Sequence, residues 1–169
     1  DNINYRASLG YTNLNGVLLR DNFERTTLGV SLTGDFFDKH LKVQVNNNTS
    51  VIKSNYSNTG AVGAAVGFDP TQSVKNADGT YFQWMTKPDE FNQLAGKNPV
   101  AMIEQQDNLG TFNRSIGNIQ LDYKMHFLPE LKATVNLGYD QMSGRGYGGI
   151  NSDYLYGLNG SGANNTYEN

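Results

Sequence analysis

A chain of 169 residues is long enough to bury the core of one ordinary domain, but Gly 19, Tyr 10 and Phe 8 beside only 17% charged residues favour β structure with wide polar loops over helices. The net charge of −3, with no basic block, gives a nucleic-acid partner no electrostatic support, and the absence of Cys removes disulfides, thiolate metal sites and cysteine nucleophiles together. The longest apolar run, AVGAAVGF at 61–68, falls far short of the roughly 18 to 20 residues of a membrane-spanning helix, whereas the strands of a transmembrane barrel never produce such a run, so that class stays open.

The opening residues DNINYRASLGY show neither an initiating Met nor a charged-then-apolar leader and read as the middle of a strand, so we expect an excerpt of something longer. Tyr5, Ala7, Leu9 and Tyr11 alternate with Arg6, Ser8, Gly10 and Thr12, which predicts a strand over about 3–13, because successive strand side chains project to opposite faces. NLNG at 13–16 then supplies an Asn-Gly turn signal. A second strand is expected over about 23–37, with Leu28, Val30, Leu32 and Phe36 opposed to Arg25, Thr27, Gly29, Ser31, Thr33 and Asp35, and it ends in the corner DKH at 38–40. The third, over about 41–52, sets Leu41, Val43 and Val45 against Lys42, Gln44 and Asn46.

A long loop over about 54–111 follows, of a size that is uncommon in compact soluble domains and usually carries function. Within it KPDEFNQL at 87–94 reads as one or two helical turns, since Pro suits a first turn and acids suit a helix start, while glycine-rich GAVGAAVG reads as flexible loop. IQLDYKMHFLPELKATVNLGYD at 119–140 is a hairpin of two strands, about 112–127 and 131–142, turning at Leu128-Pro129-Glu130. The remainder, 143–169, rich in Gly, Asn, Ser and Tyr, reads as another long loop.

Short corners thus alternate with long connections, which with aromatics near strand ends (Tyr11, Phe23 and Tyr139; Phe36, Phe37 and Phe127) describes the two rims of an outer-membrane barrel. A stretch such as Gly117 to Phe127, at about 3.3 Å per residue and tilted near 45°, rises roughly 25 Å, the height of the apolar band. The apolar rows carry no Lys, Arg, Asp or Glu at mid-strand, and the opposite rows are mixed and polar, as a hydrated lumen permits. Asn47 and Thr49 fit poorly, because they continue the apolar row of the third strand; a β-bulge there would turn them inward. The expected fold is all-β: an antiparallel segment of about five strands from a large transmembrane β-barrel with long extracellular loops.

Little in the chain signals catalysis. His40 and His126 would need Asp38 or Asp122 to act as metal ligands or bases, and read more simply as solvated turn or lumen histidines. DPTQSVKNADG at 69–79 lacks the ligand spacing of an EF-hand, GAVGAAVG lacks the pattern of a phosphate cradle, and no Ser stands in a G-x-S-x-G elbow. The adjacent carboxylates Asp89 and Glu90 carry no guarantee of facing each other across a substrate. Aromatics are the better candidates for a binding surface: Tyr81, Phe82 and Trp84 in the long loop and Tyr147, Tyr154, Tyr156 and Tyr167 in the tail can stack on sugar rings or pack on a partner, against internal loop packing as the plainer reading of each. No enzyme activity, cofactor or metal is expected.

YRASLGYTNLNGVL followed by NFERTTLGVSLTGDFFDKHLKV, and NPVAMIEQQDN leading into NRSIGNIQLDYKMHFLPELKATVNLGYD, resemble the barrel of SusC/RagA-type TonB-dependent outer-membrane transporters of Bacteroidetes. The resemblance covers about residues 3–142, is weakest in the long loops, and corresponds to a carboxy-terminal barrel portion. It implies a barrel of about 22 strands closed by a plug, absent from this sequence, in the cell outer membrane. It further implies import of oligosaccharides or peptides powered through the TonB complex, which regions outside this chain would engage, with a SusD-like surface lipoprotein as lid. Against this stand a soluble β-sandwich adhesin or glycan-binding module, whose apolar rows would meet in a core, a secreted carbohydrate-active enzyme, and a plain diffusion porin. A five-stranded open sheet could not span lipid alone, because unpaired edge groups cost several kcal/mol each in hydrocarbon.

Overall fold

The computed structural model of the chain describes all residues except 1, 89, 93, 129, 152–162 and 169. Three long strands open the chain, β1 (Asn2–Asn15), β2 (Asn22–Phe36) and β3 (Leu41–Asn55). Two short helices, α1 (Gly60–Gly67) and α2 (Pro99–Glu104), flank a small hairpin, β4 (Met85–Lys87) and β5 (Glu90–Phe91), and β6 (Gln106–Lys124), β7 (Lys132–Ile150) and β8 (Ala163–Glu168) follow. The main sheet has the order β1-β2-β3-β6-β7-β8. It does not close on itself, so β1 and β8 are its edges among the described residues. No described helix is long and apolar enough to cross a membrane.

By contacts the chain divides into two compact units, one made of residues 1–13, 24–53 and 111–144, the other of 14–23, 54–110 and 145–169. The first holds most of the long strands and the two short corners. Among its described residues no apolar side chain is buried: Leu9 is 77% exposed, Leu137 66% and Val135 50%. A β-sandwich would cover these rows with a second layer, and none of the described strands supplies one. The polar residues on the apolar side, which had suggested a bulge, are held by one another. The Ser115 hydroxyl lies 3.1 Å from that of Thr49, donates to Asn47 Oδ1 at 3.3 Å and lies 3.0 Å from the Tyr139 hydroxyl. Asn47 and Thr49 therefore stay in the apolar row, joined to Ser115 on β6 and Tyr139 on β7. The Tyr139 ring lies over Gly117, where a Cβ would sit 2.9 Å from a ring carbon and 2.7 Å from the Asn46 carbonyl; only glycine gives that ring room.

The corner between β2 and β3 is tight, with the His40 N–H donating to the Phe37 carbonyl at 3.0 Å. It places Phe37, Asp38 and Lys39 at φ 53°, 51° and 68°, a left-handed run that costs about 1 to 2 kcal/mol per residue bearing a Cβ, less for Asp.

The second unit makes its own small core. Ala61 on α1 and Ala101 and Ile103 on α2 are its buried apolar side chains among the described residues. α2 begins where the sequence carries two start signals together: Asn98 caps it, and Pro99 takes the first helical position, where a missing N–H costs nothing. α1 is built from Ala, Val and Gly, and Asn58 Oδ1 accepts from the Gly60 N–H at 2.9 Å at its start.

Three expectations are corrected. The described residues of 87–94 do not form helical turns; Met85 pairs with Phe91 and Lys87 with Glu90, with Pro88 in the turn between them. A Pro suits a turn as well as a helix start, and the Lys87–Glu90 ion pair at 3.1 Å closes the hairpin. GAVGAAVG is helical, since its alanines favour helix enough to offset its glycines when packed on α2. Residues 143–169 hold the end of β7 and a sixth strand of the sheet, β8, which pairs antiparallel from Arg145↔Glu168 to Ile150↔Ala163. Glycines disguise this strand, yet Gly146 is what admits the Tyr167 ring, whose atoms would lie 2.1–2.5 Å from a Cβ placed there.

Candidate functional site

In the strand unit the polar side of the sheet is a continuous hydrogen-bonded lattice. Ser31 Oγ on β2 donates to Asn46 Oδ1 on β3 at 2.7 Å, Asn46 Nδ2 to Asn118 Oδ1 on β6 at 3.3 Å, and Asn118 Nδ2 to Asn136 Oδ1 on β7 at 3.4 Å. On this side Arg114 grips Asp140 with two bonds, Nε at 3.0 Å and Nη2 at 2.6 Å. Asp122, 7% exposed, accepts from Thr134 Oγ1 at 2.7 Å and Gln120 Nε2 at 3.1 Å and pairs with Lys132 at 3.1 Å. Two clefts open on the lattice. One, about 310 Å³, is lined by Arg6, Ser8, Ser31, Asn46 and Asn48 among others; the second, about 230 Å³, by Arg25, Thr27, Asn48, Ser50 and Arg114. Such a surface offers donors and acceptors to hydroxyls, amides and carboxylates, beside the apolar side chains of Val30 and Ile116.

His40 and His126 come together at the short corners, a meeting that spacing alone did not show. Their rings stack with centroids 4.0 Å apart and planes 9° from parallel. Their partners are not Asp38 or Asp122: His40 Nδ1 donates to the Lys124 carbonyl at 3.0 Å, and His126 Nδ1 lies 2.7 Å from the Tyr123 hydroxyl.

In the loop unit two of the aromatic candidates, Phe82 and Trp84, pack on one another. Phe82 meets Phe68 edge-on at 6.2 Å and Trp84 edge-on at 5.1 Å between ring centroids. Tyr81 donates its hydroxyl to the Glu104 carboxylate and carries Lys75 Nζ 4.8 Å above its ring. The bond to Glu104, then burial and the Glu104 charge, push the Tyr81 phenol up to about 12. Tyr81, Phe82 and Trp84 are half-buried, as is Tyr147 on β7, whereas Tyr154 and Tyr156 lie outside the described residues.

Asn98 is the residue that the aromatic reading passed over. Wholly buried, it accepts from the Val100 and Ala101 N–H groups at 3.1 and 3.2 Å and donates to the Val74 and Phe82 carbonyls at 2.8 and 3.1 Å. It therefore ties α2 to the segment bearing the aromatics; the Asn-Pro pair before a short apolar run was its signal. Arg20 does similar work from the connection between β1 and β2, donating to the carbonyls of Ile103, Glu104 and Gln106 and pairing with Asp107. The acids of 69–79 serve their own turns. Asp69 Oδ1 accepts from the Thr71 N–H and hydroxyl, and Asp78 Oδ1 from those of Thr80, which holds both carboxyls below the usual carboxylate range. A further cleft of about 520 Å³ in this unit is lined by Tyr56, Asn58, Gln106, Gly148, Asn165 and Tyr167 among others.

No family model matches the chain. A comparison with curated proteins finds "TonB-dependent receptor SusC" of Bacteroides thetaiotaomicron, 36% identical over 174 residues. The match covers 94% of this chain and 17% of that receptor, so the chain spans about a sixth of the length of the relative. Identity at this level, sustained along nearly the whole chain, bears out the resemblance read from the strands and turns and leaves the long connections inside the match as well.

Proposed function

We propose, from the premise that this chain is a segment of a SusC-type TonB-dependent receptor, that it forms part of the barrel wall of an active importer in the outer membrane. The apolar rows meet lipid, the Asn-rich lattice meets the hydrated lumen, and the long connection over about 54–111 is extracellular. The single observation that carries this reading is the apolar side of the sheet: its Leu, Val and Tyr side chains are exposed without a covering layer among the described residues, a state rarely tolerated in water over so broad a patch and the natural one in a bilayer. The open edges at β1 and β8 support it too, since closure by further strands removes unpaired backbone groups from hydrocarbon.

The cargo is a bulky nutrient, an oligosaccharide or a peptide, driven by the TonB complex and covered by a SusD-like surface lipoprotein. Tyr81, Phe82 and Trp84, with Tyr147, Tyr154 and Tyr156 as further candidates from the sequence, are our proposed contacts for lid or cargo. Supporting this are edge-packed rings held to α2 through Asn98, so that their outer parts are presented at low entropic cost. The parent protein is a transporter and not an enzyme in this reading. An affinity-tagged parent protein should fractionate with the outer membrane, require detergent for extraction, and co-purify with a surface lipoprotein that is lost on combined Tyr81→Ala and Trp84→Ala substitution. A protein released in soluble form without detergent would overturn the assignment.

A further inference from the structure

The chain is acidic overall, with a net charge of −3, yet the polar side of the strand unit has the opposite balance. Arg114 and Lys132 are neutralised there by Asp140 and Asp122. Alternation along β1, β2, β3 and β6 places Arg6, Arg25, Lys42 and Lys124 on the same side, with Asp35 as the remaining strand carboxylate there among the described residues. Asp35 itself lines a groove with Asn2, Asp38 and Lys39 at the β2–β3 corner. Arg6 and Arg25 line the two clefts described above and have no carboxylate partner among the described residues. The clefts share Asn48 and Ile116 in their walls, so the guanidinium groups border adjoining spaces.

An unpaired guanidinium on a water-filled wall presents a planar fork of N–H donors that suits a carboxylate or sulfate. Around these two stand Ser8, Ser31, Asn46, Asn48, Thr27 and Ser50, hydroxyls and amides that can pair with those of a polyhydroxylated chain, with Val30 and Ile116 completing the walls. We propose that the adjoining clefts at Arg6 and Arg25 bind the carboxylates of an acidic oligosaccharide, so that the imported cargo is a uronate-bearing glycan. This rests on the reading of this face as the lumen side and deepens it by naming the cargo class. Cations clustered on one face of the sheet also concentrate an anion before it touches either cleft.

The test uses the full-length parent protein in detergent and three probes: tetragalacturonate, its methyl ester with the same ring hydroxyls and no charge, and tetraglutamate. Calorimetry should show the free acid binding about tenfold or more tightly than the ester, as expected for losing charge-assisted hydrogen bonds, with the advantage shrinking as salt rises. Arg6→Gln with Arg25→Gln should bring acid and ester to within about twofold of each other. Arg6→Lys with Arg25→Lys, which keeps the charge, should retain part of the preference and guards against a folding defect in the Gln pair. Equal binding of acid and ester, no binding of the acid, or an undiminished preference in a folded Gln variant overturns the proposal. Tighter binding of tetraglutamate overturns it in favour of acidic peptide. Failure of the transporter reading would show separately, as loss of outer-membrane location in the unmodified protein.

Discussion

The two units of this chain treat their apolar groups differently. The loop unit hides some as a water-soluble protein does, with Ala61, Ala101 and Ile103 buried beside a fully satisfied Asn98. The strand unit buries no apolar side chain among its described residues and instead spends its side-chain hydrogen bonds along its faces, Asn to Asn on the polar side and Ser115 to its neighbours on the apolar side. One unit carries its own nonpolar environment; the other, on the function proposed above, finds it in lipid. Substitutions should therefore separate them, and the sharpest contrast comes from charge. Leu137→Arg puts a guanidinium on the apolar side at mid-strand and should cost about 2 to 4 kcal/mol of folding into lipid vesicles if it sits near the midplane, whereas Asn136→Arg on the neighbouring position should cost much less. Heat-modifiable gel mobility of the refolded full-length parent protein measures both.

Next in size is Asn98→Ala. It removes a helix cap and leaves the Val74 and Phe82 carbonyls without their buried donor, which should cost about 2 to 3 kcal/mol locally. Hydrogen exchange should report lost protection in α2 and in residues 74–82, with β2, β3 and β7 unchanged. A uniform loss would mean that the units do not open independently.

Lys39→Gly should act in the opposite direction, stabilising by about 1 kcal/mol, because φ 68° is strained for a residue with a Cβ and free for glycine. Urea unfolding from vesicles should show it. The smallest effect is spectroscopic. The Tyr81 phenol, held up to about 12 by the Glu104 carboxylate, lends its stabilisation in full below the ordinary tyrosine value of about 10 and loses it as pH rises through the elevated one. Ultraviolet titration should find one tyrosine ionising late, and Glu104→Gln should bring it back toward the others.

The strands were legible because half of the signal lies in strict alternation, which needs no knowledge of the partner. Leu121 against Gln120 and Asp122, or Val135 against Thr134 and Asn136, states two faces whatever lies beyond them. Alternation was silent where glycine replaced the side chains, so SGRGYGGI read as loop although pairing with β8 makes it strand. It was equally silent on long-range polar contacts. Nothing local announces that His40 will stack on His126, or that Asn98 will reach the carbonyls of Val74 and Phe82. KPDEFNQL misled for a related reason, since Pro and acids serve a helix start and a hairpin turn alike, and tertiary pairing decided. Of the binding candidates, the aromatics were visible as a cluster of types, while Arg6 and Arg25, without a carboxylate partner among the described residues, emerged only once the carboxylates of Asp140 and Asp122 had been assigned to other cations.

The most direct test places nitroxide labels, one at a time, at Leu121, Val135 and Leu137 and at Asn118 and Asn136 of the membrane-embedded parent protein. Collision with oxygen should dominate at the first three and with a water-soluble nickel complex at the last two, reporting hydrocarbon on one side of the sheet and water on the other. Shielding of Leu121, Val135 and Leu137 from both reagents would place them inside protein and contradict the account.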